Sequence, residues 1–271
     1  MKRIAILTGA ELRHTFFRKF IAFSEDIEVV KSYCEKKSLR ALVEREETHE
    51  LRSQHLMARE QSELDFFGAF VEHTVDRSNP VFLPQGEINS PNYAHEIIDT
   101  NPDLLVAYGC SIIKEPLLSA FEGRFLNVHL GLSPYYRGAG TNYWPLVNEE
   151  PEYVGATFMY IDPGIDTGEV IHQIRAKVAW GDTSVQIGNR LIVEMSRVYQ
   201  AIIINFDHLE KMPQLPKPAA EKVYKRKDYS EDSVKRLYDN FRNGMLQKYL
   251  SEEINRCKNA PIIENPAVRE L

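Results

Sequence analysis

Apolar positions near the start of the chain switch between two periods. Arg3 to Gly9 is a short apolar run closed by a glycine, which reads as a buried strand and a turn. From Leu12 to Phe23 the apolar residues recur at helical spacing, and Ile27 to Tyr33 is again strand-like and rich in β-branched side chains. A strand, helix, strand start predicts a parallel, doubly wound sheet and an α/β fold. Between Ser38 and Val75 there is no proline and one glycine, Gly68, so this stretch is expected to be a long helix or helix pair.

Further along, Pro80 to Pro91 reads as a short strand and a turn-rich loop, Tyr93 to Thr100 as a helix, and Asp103 to Tyr108 as an apolar strand ending at Gly109. Lys114 to Phe121 is expected to be helical and Arg124 to Leu130 extended. Tyr153 to Ile161 and Glu169 to Val178 flank Asp-Pro-Gly-Ile-Asp-Thr-Gly and read as a β-ribbon with a structured loop. A long helix from Thr183 to about His208 closes a core domain of residues 1–208. Met212 to Pro218 carries three prolines, as a linker or wrapping segment would, and Glu231 to Leu250 looks helical. Residues 209–271 are therefore expected to form a small, partly helical C-terminal extension.

Composition narrows the function classes. The chain has 271 residues, 43% hydrophobic and 27% charged, with 33 basic and 39 acidic side chains and a net charge of −6. That is ordinary globular composition, and the acidic balance argues against a surface that grips nucleic acid or an anionic membrane. Charge is unevenly spread. Residues 38–75 hold eight acidic and four basic side chains, and residues 222–248 hold eight basic and four acidic ones. The first stretch is expected to be a solvated helical insert, although His55, Arg59 and Glu63 share one helical face and could reach a ligand. The second could meet a phosphate-bearing substrate. Three cysteines, Cys34, Cys110 and Cys257, lie far apart and suggest neither a disulfide framework nor a zinc site, and no spacing suggests another metal. The first apolar run is too short for a signal-peptide core, and no apolar stretch approaches the ~20 residues needed to span a bilayer, so a cytoplasmic location is expected.

The densest chemistry lies between Phe125 and Gly138. In a strand, Asn127 and His129 share one face while Leu126, Val128 and Leu130 share the other. Burying that amide and imidazole without partners would cost ~1–3 kcal/mol each, so they are expected to line a cleft at the strand's C-terminal end. In the loop from Asp162 to Gly168, two glycines and a proline fix the backbone around Asp166. If the three converge, the Asn127 amide and a protonated His129 can stabilise a developing oxyanion while Asp166 raises the imidazole's basicity and helps manage an amine proton. That is acyl-transfer chemistry without a nucleophilic residue.

The pair Asn127-x-His129, the following Leu-x-Pro-x-x-Arg-Gly from Leu132 to Gly138, and Asp162-x-x-x-Asp-x-Gly168 resemble the N10-formyltetrahydrofolate-dependent formyltransferases. The likeness is strong over about residues 100–175 and only in outline elsewhere. It implies a Rossmann-like α/β core, N10-formyltetrahydrofolate as formyl donor, and Asn127, His129 and Asp166 as the catalytic residues. It also implies a folate-binding segment at Val106 to Ile113, including Val106, Tyr108, Ser111, Ile112 and Ile113, helped by Pro163, Gly164 and Ile165. The GxGxxG fingerprint of a nicotinamide dehydrogenase is absent after the first strand.

The family's acceptors differ in their flanks. Methionyl-tRNA formyltransferases carry a sizeable C-terminal β-barrel and broad positive charge. Glycinamide ribonucleotide transformylases are compact and have a glycine-rich phosphate loop where this chain offers Thr8-Gly9-Ala10. Sugar N-formyltransferases commonly follow the core with a short segment, and Tyr135 to Trp144 resembles their aromatic-rich motif. The expected acceptor is therefore a primary amine on a nucleotide-linked amino sugar, as in glycan assembly, with no nucleic acid or membrane partner and a homodimer compatible. Thr8, Gly9, Tyr135, Tyr136, Arg137 and Trp144 are the expected substrate contacts. A glycinamide ribonucleotide or methionyl-tRNA formyltransferase, a formyltetrahydrofolate hydrolase and a non-catalytic binding protein on the same fold are the alternatives.

Overall fold

The computed structural model describes residues 1–36, 50–164, 167–216 and 222–268. At its centre is a seven-stranded sheet. Five strands are parallel: β1 (Lys2–Gly9), β2 (Ile27–Lys36), β3 (Pro80–Pro84), β4 (Leu104–Tyr108) and β5 (Phe125–His129). A three-residue strand, β6 (Tyr136–Gly138), lies outside this sheet, and β7 (Gly155–Tyr160) and β8 (Val170–Arg175) complete it as an antiparallel ribbon. The order is β3-β2-β1-β4-β5-β7-β8. The chain thus winds outward in one direction from β1 and in the other from β4, which is the expected doubly wound α/β arrangement. The strands buried on both faces, β1 and β4, are also the ones whose sequence is nearly unbroken apolar residue.

Two cores cover the two faces. One packs Leu126, Val128, Val106 and Tyr108 beneath α1 (Leu12–Ala22) and the long helix Ser184–Ile204. The other packs Phe125, Leu105, Ala107 and Ile113 beneath the helices Pro91–Asp99 and Leu117–Ala120. The helix expected from Lys114 shrinks to that single turn, Leu117–Ala120, which follows Pro116. The long helix starts where a capping box of Thr183 and Gln186 satisfies its first amides, and ends at Ile204 rather than His208.

The described part of the region 38–75 is α2 (Glu50–Glu63), a π-turn over Leu64–Gly68, and α3 (Ala69–His73). Residues 37–49, expected to be helical, lie outside the described residues. Phe67 and Phe70 pack on Phe16 at ring-centroid distances of 4.7 and 5.2 Å. The Lys19 ammonium donates to the carbonyls of Val71 and Thr74 at the end of α3.

Beyond residue 208 the chain wraps rather than dangles. Met212 pairs with Val170 on the edge of β8, and the Ile263 carbonyl accepts from the Gln173 amide. Lys222–Tyr224 (β9) pairs in parallel with β6. The expected single helix from Glu231 to Leu250 is two, Glu231–Arg242 and Met245–Asn259. Gly244 between them has a φ of 83°, a left-handed conformation that stops the first helix at little cost for glycine. Among the described residues no helix is long and apolar enough to cross a membrane.

Candidate active site

A cavity of about 1070 Å³ opens over the C-terminal ends of β4 and β5, close to where the winding direction reverses. Asn127 and His129 both line it. They alternate with Leu126 and Val128, which are buried in the core beneath α1, as the strand period requires. Pairing holds them in place: Asn127 sits opposite Ala107 of β4 and Met159 of β7, and His129 opposite Thr157. Beyond the strand, a Cβ on Gly131 would lie 2.7 Å from His129 Nε2 and 2.6 Å from Thr141 Cβ, so only glycine lets the chain turn that close to the imidazole. The Thr157 hydroxyl donates to the Gly131 carbonyl at 2.7 Å, and Gln173 Nε2 donates to the Ser133 carbonyl at 2.7 Å. These buried bonds fix the loop that leaves His129.

The second motif loop folds on its first aspartate. Asp162 Oδ1 accepts from the Gly164 amide at 3.0 Å and from the Thr167 hydroxyl at 2.8 Å. A Cβ on Gly168 would come within 1.8 Å of the Tyr160 carbonyl oxygen, so that glycine is required for the loop to lie against β7. Asp162, Gly164, Thr167 and Gly168 line the cavity. Ile165 and Asp166 lie outside the described residues, and Pro163 is described but does not line the cavity.

The expected folate segment is held by a residue the sequence pattern did not single out. Glu35, at the end of β2 and fully buried, accepts from the Gly86 amide at 2.7 Å and from the Ser111 amide at 2.6 Å. Asn89 adds a second clamp, donating to the Ile112 carbonyl at 2.9 Å and accepting from the Lys114 amide at 2.8 Å. Ser111, Ile112 and Ile113 line the cavity, but the Ser111 amide and the Ile112 carbonyl are already committed to these clamps. Ile112 is 67% exposed, an apolar side chain at the rim of the cavity. Val106 is fully buried in the core below the cavity, and Tyr108 lines it.

Of the expected substrate contacts, only Trp144 lines the cavity. Thr8 is fully buried and its hydroxyl donates to the Tyr108 carbonyl at 2.7 Å. Gly9 is a spacer: a Cβ there would lie 2.6 Å from both Glu11 Oε2 and the His14 ring. Burial opposes ionisation of Glu11, yet its contact with His14, the charge of Arg13 and a backbone amide hold its carboxyl down at about 2. Tyr136 is fully buried, bonded to Glu150 and Asn148, and Tyr135 donates to the Pro261 carbonyl at 2.9 Å, so both brace the C-terminal wrap instead of facing a ligand. Arg137 does not line the cavity. These side chains lie away from the cavity because the aromatic run alternates between core and surface, and the short strand β6 turns its first residue inward.

The cavity's other wall joins three distant stretches. Arg52, His55, Leu56, Arg59 and Glu63 come from α2, Tyr143 and Trp144 from the motif loop, and Lys225, Arg226 and Tyr229 from the C-terminal wrap. Aromatic rings knit them together. Tyr143 meets Tyr229 at 5.4 Å and His55 at 5.7 Å, and Trp144 stacks on Tyr224 at 4.2 Å with an interplanar angle of 7°. The Arg52 guanidinium lies 4.9 Å over the Tyr229 ring. The face carrying His55, Arg59 and Glu63 therefore turns toward the cavity, not toward bulk water, because α2 packs on the long helix, where Asn189 donates to Ser62 at 2.9 Å. Burial, with Arg59 nearby, pushes the His55 imidazole down to about 4.

The sequence profile of the formyl transferase family matches residues 2–203. The chain is 31% identical over 155 residues to the methionyl-tRNA formyltransferase of Alkaliphilus oremlandii, covering 56% of this chain and 49% of that one. It is 36% identical over 107 residues to that of Caldanaerobacter subterraneus, covering 39% of this chain and 34% of that one. The chain thus spans half or less of the length of these curated relatives. Among solved structures, a sugar N-formyltransferase from a Shewanella species superposes with a TM-score of 0.55 at 15% identity over 88% of each chain. A phosphoribosylglycinamide formyltransferase from Streptococcus pneumoniae superposes with a TM-score of 0.52 at 21% identity, covering 76% of this chain and 99% of that one. The latter two likenesses speak for the fold. The match to the family over most of the chain, on a sheet whose fourth and fifth parallel strands carry the motif residues to the cavity, shows that this protein belongs to the formyl transferase family.

Proposed function

We propose that this protein transfers the formyl group of N10-formyltetrahydrofolate to a primary amine on a nucleotide-linked amino sugar. The observation that carries the reading is the composition of this cavity, where Asn127 and His129 face a wall of stacked aromatic side chains and the cations Arg52, Lys225 and Arg226. Rings suit a base or sugar, and the cations suit its phosphates. The volume exceeds the ~300–1,000 Å³ of a usual ligand site, as two co-substrates require. For the donor, the Ile112 side chain at the rim can cover a flat pterin, and the backbone clamped by Glu35 and Asn89 presents the remaining polar groups to its edge.

The chemistry asked of the residues is modest. The acceptor nitrogen attacks the formyl carbon, and the carbonyl oxygen becomes an oxyanion that the Asn127 amide and the His129 ring N–H stabilise by hydrogen bonds. The carbon to N10 bond then breaks, N10 gains a proton, and the acceptor nitrogen loses one. Asp166, by the motif it belongs to, is the carboxylate that relays that proton. No covalent enzyme intermediate forms.

The identities to methionyl-tRNA formyltransferases support a second reading, formylation of an aminoacyl-tRNA. One panel separates the two: turnover of N10-formyltetrahydrofolate with nucleotide-linked amino sugars, glycinamide ribonucleotide, methionyl-tRNA and water. The proposal expects a nucleotide-linked amino sugar to be the best acceptor. Turnover with methionyl-tRNA or glycinamide ribonucleotide alone contradicts it.

A further inference from the structure

On the α1 side of the cavity, Glu63 Oε1 lies between two arginines, 2.9 Å from Arg13 Nη1 and 3.2 Å from Arg59 Nε. The Glu63 side chain is 8% exposed and that of Arg13 14%, whereas Arg59 reaches into the open cavity. Glu11 lies 3.8 Å from Arg13 Nη2, so two carboxylates balance the two guanidinium groups, and what remains is a surplus of donors on Arg59. Both terminal nitrogens of Arg59 have no protein partner among the described residues. A second donor completes the set. The Tyr108 hydroxyl is buried, belongs to a residue only 3% exposed, and has no hydrogen-bond partner among the described residues, yet Tyr108 lines the same cavity. Leaving such a hydroxyl unpaired is costly, which marks it as a group awaiting a ligand. Gly109 permits this layout, since a Cβ there would lie 2.4 Å from the His14 ring that braces Tyr108 edge-on at 4.9 Å.

We infer that Arg59, Arg13 and Tyr108, organised by Glu63, form a binding subsite for an anionic oxygen group, a carboxylate or a phosphoryl group, on the acceptor. A planar guanidinium with two open nitrogens matches two oxygens of one anion, and the phenol supplies a third donor. The strand alternation decides which co-substrate carries the group. Tyr108 is packed in the core beneath α1, while Ile113 of the expected folate segment is packed in the core on the opposite face, the face to which Asn127 and His129 also turn. The cluster therefore stands on the other side of the sheet from the folate segment. Only this choice of co-substrate rests on the proposed formyl transfer; the anion binding does not. The subsite is also separate from the exposed cations Lys225 and Arg226 on the C-terminal wrap, so the acceptor is anchored through an acidic group at this end as well.

The test titrates the full-length protein with inorganic phosphate and, separately, with carboxylate-labelled acetate, following line broadening of the anion by NMR. Wild type, Arg59→Gln and Tyr108→Phe are compared. Arg59 is half-exposed and Tyr108→Phe conserves volume, so both variants should fold, which their thermal melts check. The inference expects a bound component for at least one anion that weakens about tenfold or more in Arg59→Gln and several-fold in Tyr108→Phe. The anion bound more tightly names the group as phosphoryl or carboxylate. Absence of binding to wild type, or equal binding to Arg59→Gln, overturns the inference. Because anion binding is read without N10-formyltetrahydrofolate and the proposed reaction is read by turnover, failure of this inference and failure of the proposed reaction are separate results.

Discussion

His14 sits so near two glycines that neither can be replaced. A Cβ on Gly109 would fall 2.4 Å from its ring, and Gly109 has a φ of 68°, so Gly109→Ala combines a clash with a left-handed backbone. We expect it to cost ~1–3 kcal/mol or more, read as a lower urea midpoint. At Glu35 the expected effect is on function. Glu35→Gln keeps one acceptor oxygen but turns an amide donor toward a backbone N–H, loosening the Ser111 segment. The KM for N10-formyltetrahydrofolate should rise by roughly 3–10-fold with kcat little changed, since one such hydrogen bond contributes ~1 kcal/mol. Neither residue's role was legible in the sequence. A glycine after a strand signals a turn, but the buried Glu11 and His14 that need its space are revealed only by the fold. Glu35 closes an apolar strand and looks locally like its charged end. Asn127 and His129 were legible because strand alternation alone isolates two polar side chains on an apolar strand.

At the level of elements, the insert helix and the C-terminal wrap depend on each other. Glu231 accepts from the amides of Leu51 and Arg52 and so caps the start of α2 from a distant part of the chain. His55 Nδ1 contacts the Tyr238 hydroxyl at 3.2 Å, and Tyr143 shares a hydrogen bond of 2.8 Å with Ser233. This interface should be pH-sensitive. The His55 imidazole falls from 6.5 to about 4 on folding, chiefly through burial, so the unfolded chain takes up its proton first as pH drops. Its contribution is complete above pH 6.5 and is lost progressively toward pH 4, by at most ~3 kcal/mol. His55→Gln should therefore flatten the fall of Tm between pH 7 and 4.5, and an unchanged slope would count against it. Helical periodicity correctly put His55, Arg59 and Glu63 on one face. It could not say that the face meets the cavity, because the charge pattern of α2 is that of a solvated helix and its partners lie from 50 to 183 residues away.

For the whole molecule, the net charge of −6 conceals a cationic cavity. Five basic side chains, Arg13, Arg52, Arg59, Lys225 and Arg226, line it against three acidic ones among the described residues, Glu11, Glu63 and Asp162. Neutralising Lys225 and Arg226 together should raise the KM for a nucleotide-linked acceptor and weaken its dependence on ionic strength, while the donor's KM stays put. The doubly wound sheet was legible from the alternation of apolar strands and helices. The joining of insert, motif loop and wrap into one wall was not, since it depends on long-range packing that no local pattern encodes. The central claim is that Asn127 and His129, at the end of β5, stabilise the transition state of formyl transfer. Its most direct test is the rate of tetrahydrofolate release from N10-formyltetrahydrofolate, at saturating nucleotide-linked amino sugar, in wild type and in folded Asn127→Ala and His129→Ala. The account predicts a loss of ~10²–10³-fold or more in each variant, the cost of removing an oxyanion donor. Near-wild-type release by His129→Ala would contradict it.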